Sequence, residues 1–236
     1  MPRLGTRKLH YLLTPEFAEQ GIKLGRDKLF DLLRAERMLV APPKTYTKTT
    51  HSKHWLKKHP NLMQQITPSH PEQYFVSDIT YVKSRHRTHY LSLVPDAYSR
   101  KIMGYPLSDD LSAESVVKAL RMALKQRRTS QHSIHHPDRG LQYCSQIYQQ
   151  LLQAHNVRAS MTDGYDCYQN ALAERVNGIL KNEFLMCTCN TAKELNTLVA
   201  ESIHIYNSFR PPLSLAMKTP NFIHEKTEEL TLSGSS

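Results

Sequence analysis

Long apolar runs are missing from this sequence. No stretch comes near the roughly 18 apolar residues that a membrane-spanning helix needs, so no membrane partner is expected. The front segment MPRLGTRKLHYLL has basic residues but neither a long apolar run nor a small-residue cleavage site, so it does not read as a secretory signal. Cysteine is scarce. Cys144, Cys167, Cys187 and Cys189 form no C-x-x-C pair, which argues against a zinc site and against a disulfide framework. Free thiols in a reducing cytoplasm are the expectation. No internal repeat is visible, so a solenoid or propeller is not indicated.

Acidic charge is short where basic charge is plentiful. Residues 1–70 hold 13 Lys/Arg against 5 Asp/Glu, while residues 71–236 hold 18 against 16. That asymmetry points to a polyanion-binding front region beside a nearly neutral working domain, although a basic solvated face has the same composition. Hydrophobic residues make up 39% of 236, an ordinary globular content sufficient for one sizeable core plus a small appendage.

The pattern along the chain divides it. Residues 6–13 and 26–39 read as short helices, the second with an apolar face of Leu29, Phe30, Leu32, Leu33 and Leu39. They form either a small DNA-binding unit or a hairpin that only packs on its neighbour, and the residues do not choose. Residues 41–73 are rich in Pro, Lys, Thr and His, and read as a basic linker. There Lys44, Lys48, Lys53, Lys57 and Lys58, interleaved with Tyr46 and Trp55, either follow a phosphate backbone or stay solvated. From Tyr74 strands are expected over 74–83, 88–95 and 101–107, then a helix opened by Ser112. A short strand ends at Pro137-Asp138. A helix over 145–155, a strand over 157–161 and a helix over 170–185 follow. Thr191-x-x-Glu194 is a capping box opening a last long helix to about Asn207. Three strands followed by alternating helix and strand imply an α/β or α+β chain with a mixed sheet covered by helices. The resulting division is a helical segment at 1–40, a linker at 41–73, a core at 74–225 and a flexible tail at 226–236.

Three carboxylates stand out. Asp78 lies inside a strand among Val76, Ile79, Tyr81 and Val82, where a carboxylate is costly to bury unless it is paired or metal-bound. Asp138 follows a strand, where open sheets place ligands. Glu174 sits one turn into a helix. Hard oxygen donors from three such elements suit Mg²⁺ or Mn²⁺. Spacing alone leaves bland alternatives open: a cap for Asp138, a surface ion pair for Glu174, a paired strand acid for Asp78. Asp96, in PDAYSR, reads as a structural partner of Arg100.

The flanking sequence narrows this. YFVSDITYV, YLSLVPDAYSRKIMGYPL, HHPDRGLQYCS and YQNALAERVNGILKNEF occur in that order, with IYNSFRPPLSLAMKTP near the end. Together they resemble transposases of bacterial insertion sequences whose catalytic core is related to retroviral integrases, over about residues 3–222. The resemblance implies an RNase H-like fold and a DDE triad of Asp78, Asp138 and Glu174, with 35 residues between the last two. It implies two divalent ions, Mg²⁺ or Mn²⁺, that serve DNA strand cleavage and then strand transfer during transposition. It also implies a homo-oligomer on DNA, a bacterial cytoplasm and nucleoid, and a catalytic reading frame often joined to an upstream DNA-binding one. Two departures are Gln169, where the family often has aspartate, and Pro211-Pro212 after Arg210, where histidine is frequent. Candidate DNA contacts are Lys181, Arg139, Asn170, Arg175 and His136, each with a structural alternative. Rival readings are a hydrolase-only nuclease and a DNA-binding protein with a dead site.

Overall fold

Alternation organises the centre of the molecule. Both parities in 74–83 carry apolar residues, Phe75 and Ile79 on one side and Tyr74, Val76 and Val82 on the other, so this segment needs cover on both faces. The computed structural model describes residues 3–40, 59–63, 67–129, 131–163 and 170–232. In it β1 (Tyr74–Lys83) pairs antiparallel with β2 (Thr88–Pro95), and β2 pairs with β3 (Ile102–Gly104) and β4 (Leu107–Ser108). On its other side β1 pairs parallel with β5 (Ser133–Pro137), which pairs parallel with β6 (Val157–Ala159). The sheet order is β3-β2-β1-β5-β6, a mixed sheet of the expected kind.

Helices cover both faces. Phe75, Ile79 and Val94 face α3 (Ala113–Lys125) and α4 (Gln146–Ala154), where Val116, Leu120, Tyr148 and Leu152 complete the packing. On the opposite face, Val82, Leu91, Leu93 and Ile102 pack under α5 (Ala171–Ile179) and α6 (Ala192–Ser208). β3 and α3 approach so closely that a Cβ on Gly104 would lie 2.1 Å from the Ala119 carbonyl oxygen, so glycine is required there. The capping box of α6 closes as read: Glu194 N donates to Thr191 Oγ1 at 3.1 Å, and Glu194 Oε2 accepts from Asn190 N at 2.9 Å.

Several boundaries differ from the sequence reading. The third strand breaks into β3 and β4. The first helix does not stop at 13: α1 runs Thr6–Glu19 through Pro15, whose missing N–H costs one bond on an exposed surface. α2 is Arg26–Ala35, and Leu29 is its one buried residue. The described parts of the expected linker are docked on the core. Leu62 N donates to Ser160 Oγ at 2.9 Å, Leu62 and Met63 pack beside Tyr74 and Val76, and buried Glu72 accepts from the Arg128 and Thr129 amides. The linker lysines, Tyr46 and Trp55 lie outside the described residues. The expected tail boundary at 226 falls inside a helix, α7 (Pro220–Leu232). Asp96 is not held mainly by Arg100. Its carboxylate accepts from Glu72 N at 2.7 Å and from Ser99 N and Oγ at 2.6 and 2.7 Å, with His224 of α7 at 3.9 Å.

Candidate active site

The register of β1 and β5 builds the site. Ser77 lies opposite Pro137, so the next residues, Asp78 and Asp138, are neighbours where β5 ends and β1 continues. A strand that stops beside one that runs on leaves an open notch at the sheet's centre. Asp138 Oδ1 accepts from Gly140 N at 3.0 Å, and a Cβ on Gly140 would sit 3.1 Å from that oxygen, so the turn fits glycine closely.

α5 brings the third carboxylate. Two asparagines fasten this helix to β1: buried Asn170 Nδ2 donates to the Ser77 carbonyl at 2.9 Å, and Asn177 Nδ2 donates to Asp78 Oδ2 at 2.6 Å. Residues 170, 174 and 177 share one helix face, so the same two bonds aim Glu174 at the notch. Burial pushes the Asp78 carboxyl up to about 7, and the negative charges of Asp138 and Glu174 push in the same direction against the Asn177 and Ile79 hydrogen bonds. The three acids therefore share one electrostatic environment. Among the described residues no three His, Cys, Asp or Glu side chains stand as a ready-made metal site. The donor set is nonetheless all carboxylate oxygen, the chemistry that suits a hard divalent cation.

Below the notch lies a network that the sequence did not single out. Ser77 Oγ meets His135 Nε2, whose Nδ1 meets the Tyr148 hydroxyl at 2.7 Å, and Tyr143 also bonds Ser77. All four are buried. Burial, with His136 beside it, pushes the His135 imidazole down to about 3, so the ring is neutral. The network fixes the backbone directly under Asp78. Asn177, three residues after Glu174, carried a signal in its helical spacing. Ser77 and His135 carried none, because a strand pattern does not say which polar side chains meet.

The other candidates separate. Lys181 is exposed at the rim, in a π-helical turn Leu180–Phe184 that follows α5. The surrounding protein lowers its ammonium pKa while the Asp78 carboxylate opposes this, which puts the lysine at the site. His136 is fully buried with Nδ1 2.7 Å from Ser160 Oγ, so it cannot touch DNA. Asn170 is likewise structural. Arg139 turns away, donating from Nε to the Thr162 carbonyl at 2.6 Å. Arg175 is exposed on another flank of α5.

A mixed sheet with carboxylates gathered at the end of its shorter central parallel strand defines an RNase H-like, integrase-type core. Residues 68–167 match the integrase core domain family, and residues 155–220 match a second integrase core domain family. The magnesium complex of the HTLV-2 integrase catalytic core superimposes with a TM-score of 0.54 at 20% identity, covering 66% of this chain and 99% of that one. A simian T-cell lymphotropic virus intasome chain gives 0.57 at 16% identity, covering 94% and 74%. These likenesses show the fold.

Sequence relatives define the group more closely. A 31 kDa protein of insertion element IS600 from Shigella sonnei is 35% identical over 96% of this chain and 83% of its own length. The transposase InsF of insertion sequence IS3A from Escherichia coli is 34% identical over 72% of this chain and 60% of its own length. The chain belongs to the insertion-sequence transposases with an integrase-like core, and polynucleotidyl transfer in transposition is the chemistry of that family.

Proposed function

We propose that Asp78, Asp138 and Glu174 hold two divalent ions, Mg²⁺ or Mn²⁺, and that the chain uses them to cut a DNA strand at an element end and join the freed 3′-hydroxyl to another strand. The observation that carries this is the shared field at Asp78, where burial and the charges of Asp138 and Glu174 disfavour the ionised carboxylate. Such an arrangement is unfavourable by itself and becomes favourable with a cation in the notch. When bound, the metal ions supply Lewis-acid polarisation of the phosphodiester and activation of water or the 3′-hydroxyl.

The chain's own residues do the positioning. Asp78, Asp138 and Glu174 are the residues that would hold the ions, with Asp78 feeling the charge of both other carboxylates. Asn177 holds one Asp78 oxygen and so sets the carboxylate plane. Asn170 and the Ser77–His135–Tyr148 network fix the backbone beneath it. Lys181 stands at the rim, where its cation would meet a phosphate near the reacting one. No covalent protein intermediate is needed. Work as a homo-oligomer on DNA, help from an upstream DNA-binding reading frame, and residence at the bacterial nucleoid are parts of the same reading.

The test is metal-dependent nicking of element-end DNA by the wild type and by Asp78→Ala, Asp138→Ala and Glu174→Ala. The expected outcome is loss of nicking in all three. A single variant with wild-type activity removes that residue from the triad.

A further inference from the structure

α5 has a second working flank. Lys8 of α1, Arg100 in the turn after β2, Arg175 of α5 and Arg210 after α6 line one cavity, with buried Tyr206 and exposed Ser214 in its wall. Four separate segments thus deliver four cations to one place. Glu183 is the carboxylate that answers them. It takes Nε and Nη2 of Arg210 at 2.7 Å each and stands 3.4 Å from Lys8 Nζ. Arg100 donates to the Ala97 carbonyl, and neither it nor Arg175 has an ion-pair partner among the described residues.

Two features show that this crowding is maintained at a cost. Burial holds the Lys8 ammonium below its usual range, and Arg210 and Arg175 press it further down against the pull of Glu183. Arg100 adopts a left-handed backbone with φ of 66°, sparsely populated by residues with a side chain and kept only when the surroundings enforce it. Like charges gathered in a solvent-open recess are relieved by an anion. Crossed donors from lysine and arginine suit phosphate oxygens.

We infer that this cavity seats a DNA backbone phosphate, with Lys8, Arg100 and Arg175 as its donors and Arg210 held in its wall by Glu183. The inference rests on the proposed strand-cutting function and extends it to where the substrate runs. Glu174 and Arg175 are consecutive on α5, so the carboxylates and the cavity occupy different flanks of one helix about 10–12 Å across with side chains. A strand with its reacting phosphate at the carboxylates continues over α5 and places a phosphate a few nucleotides away in the recess. Lys8 makes the N-terminal helix part of that track.

The experiment uses the full chain with chelator present, so that cutting plays no part. Affinity for a short mixed-sequence duplex is measured by fluorescence anisotropy across a salt series for wild type, Arg175→Gln and Lys8→Gln. Each variant is expected to bind about 3–10-fold more weakly, with the slope of log K against log salt reduced by about 1. Inorganic phosphate is expected to raise the melting temperature of the wild type more than that of Arg175→Gln, whose own melting temperature without phosphate is equal or higher. Duplexes with one methylphosphonate linkage locate the contact: at one position the neutral linkage weakens wild type and leaves Arg175→Gln unaffected. Wild-type affinity and slope in both variants overturn the inference. Protection by phosphate with unchanged DNA binding also overturns it, because the anion then has another source. An Asp78→Asn chain that still nicks DNA would end the proposed carboxylate function and leave this binding result standing; the converse failure leaves the carboxylates standing.

Discussion

The two flanks of α5 carry opposite charge problems solved by the same helix. On one flank Glu174 joins Asp78 and Asp138, and burial makes the shared negative charge unfavourable. On the other, Arg175 joins Lys8, Arg100 and Arg210 around one carboxylate. Neither cluster stabilises the chain by itself. Each cluster gathers charge of one sign, and a DNA strand with its metal ions has the charges that would relieve both. The helix between them is accordingly fastened by neutral groups: Asn170 and Asn177 toward β1, and Val176 and Leu180 in the core. Charge at this helix serves binding, while amides and apolar contacts serve the fold.

That contrast can be broken in graded steps. The largest effect is expected at the acidic flank: Asp138→Asn or Glu174→Gln should lower nicking by roughly 10³-fold or more, since a lost ligand removes transition-state stabilisation. Rates under single-turnover conditions measure it. Asn177→Ala should cost about 10–100-fold, with part of the loss recovered at higher Mg²⁺, because the amide orients a ligand without being one. A variant whose loss ignores metal concentration would place Asn177 elsewhere in the chemistry.

Stability effects come next. Arg210→Ala leaves Glu183 half-buried without its bidentate partner and should destabilise the chain by about 3 kcal/mol in urea unfolding. Glu183 is held below the usual carboxylate range despite burial, with Arg210 the leading favourable cause, so its contribution is present above the unfolded pKa and fades as pH falls through the folded one. Asp78 behaves oppositely. Its folded pKa lies near 7, above the unfolded value, so the folded chain binds the proton more tightly and loses stability as pH rises from about 4 to 7. In chelator at pH 8, Asp78→Asn should therefore be more stable than wild type by about 1–3 kcal/mol, and the difference should vanish near pH 4. Thermal melts at the two pH values measure this, and a gain that ignores pH would contradict it.

Much of this was legible in one dimension. β1 and β2 fall where their β-branched and aromatic runs predicted, because a strand packed on both faces is dense in such residues. The carboxylates sit where strand, strand end and helix placed them. Other elements were not legible. The part of α7 beyond residue 225 was read as a flexible tail, although Pro220 stands at the helix's first position, a place where proline starts a helix as readily as it stops one. The helix predicted over 170–185 changes its winding at Leu180, and no local residue signals a π turn. His136 and Asn170 looked like phosphate contacts beside the triad, but both are buried and bonded to Ser160 and Ser77. A motif gives proximity along the chain, not the direction of a side chain. Of the basic recess only Arg175 was named as a candidate DNA contact, because Lys8, Arg100, Arg175 and Arg210 meet only after the sheet and both helical layers have formed.

Joining measures the central claim most directly. A duplex carrying a pre-cleaved element end with a free 3′-hydroxyl is mixed with target DNA, Mg²⁺ and the chain, and covalent joined product is resolved by length. Joined product from the wild type in Mg²⁺, none with chelator and none from Asp138→Asn is the expected result. Joining by Asp138→Asn at the wild-type rate, or strand nicking by the wild type without any joined product, would contradict it.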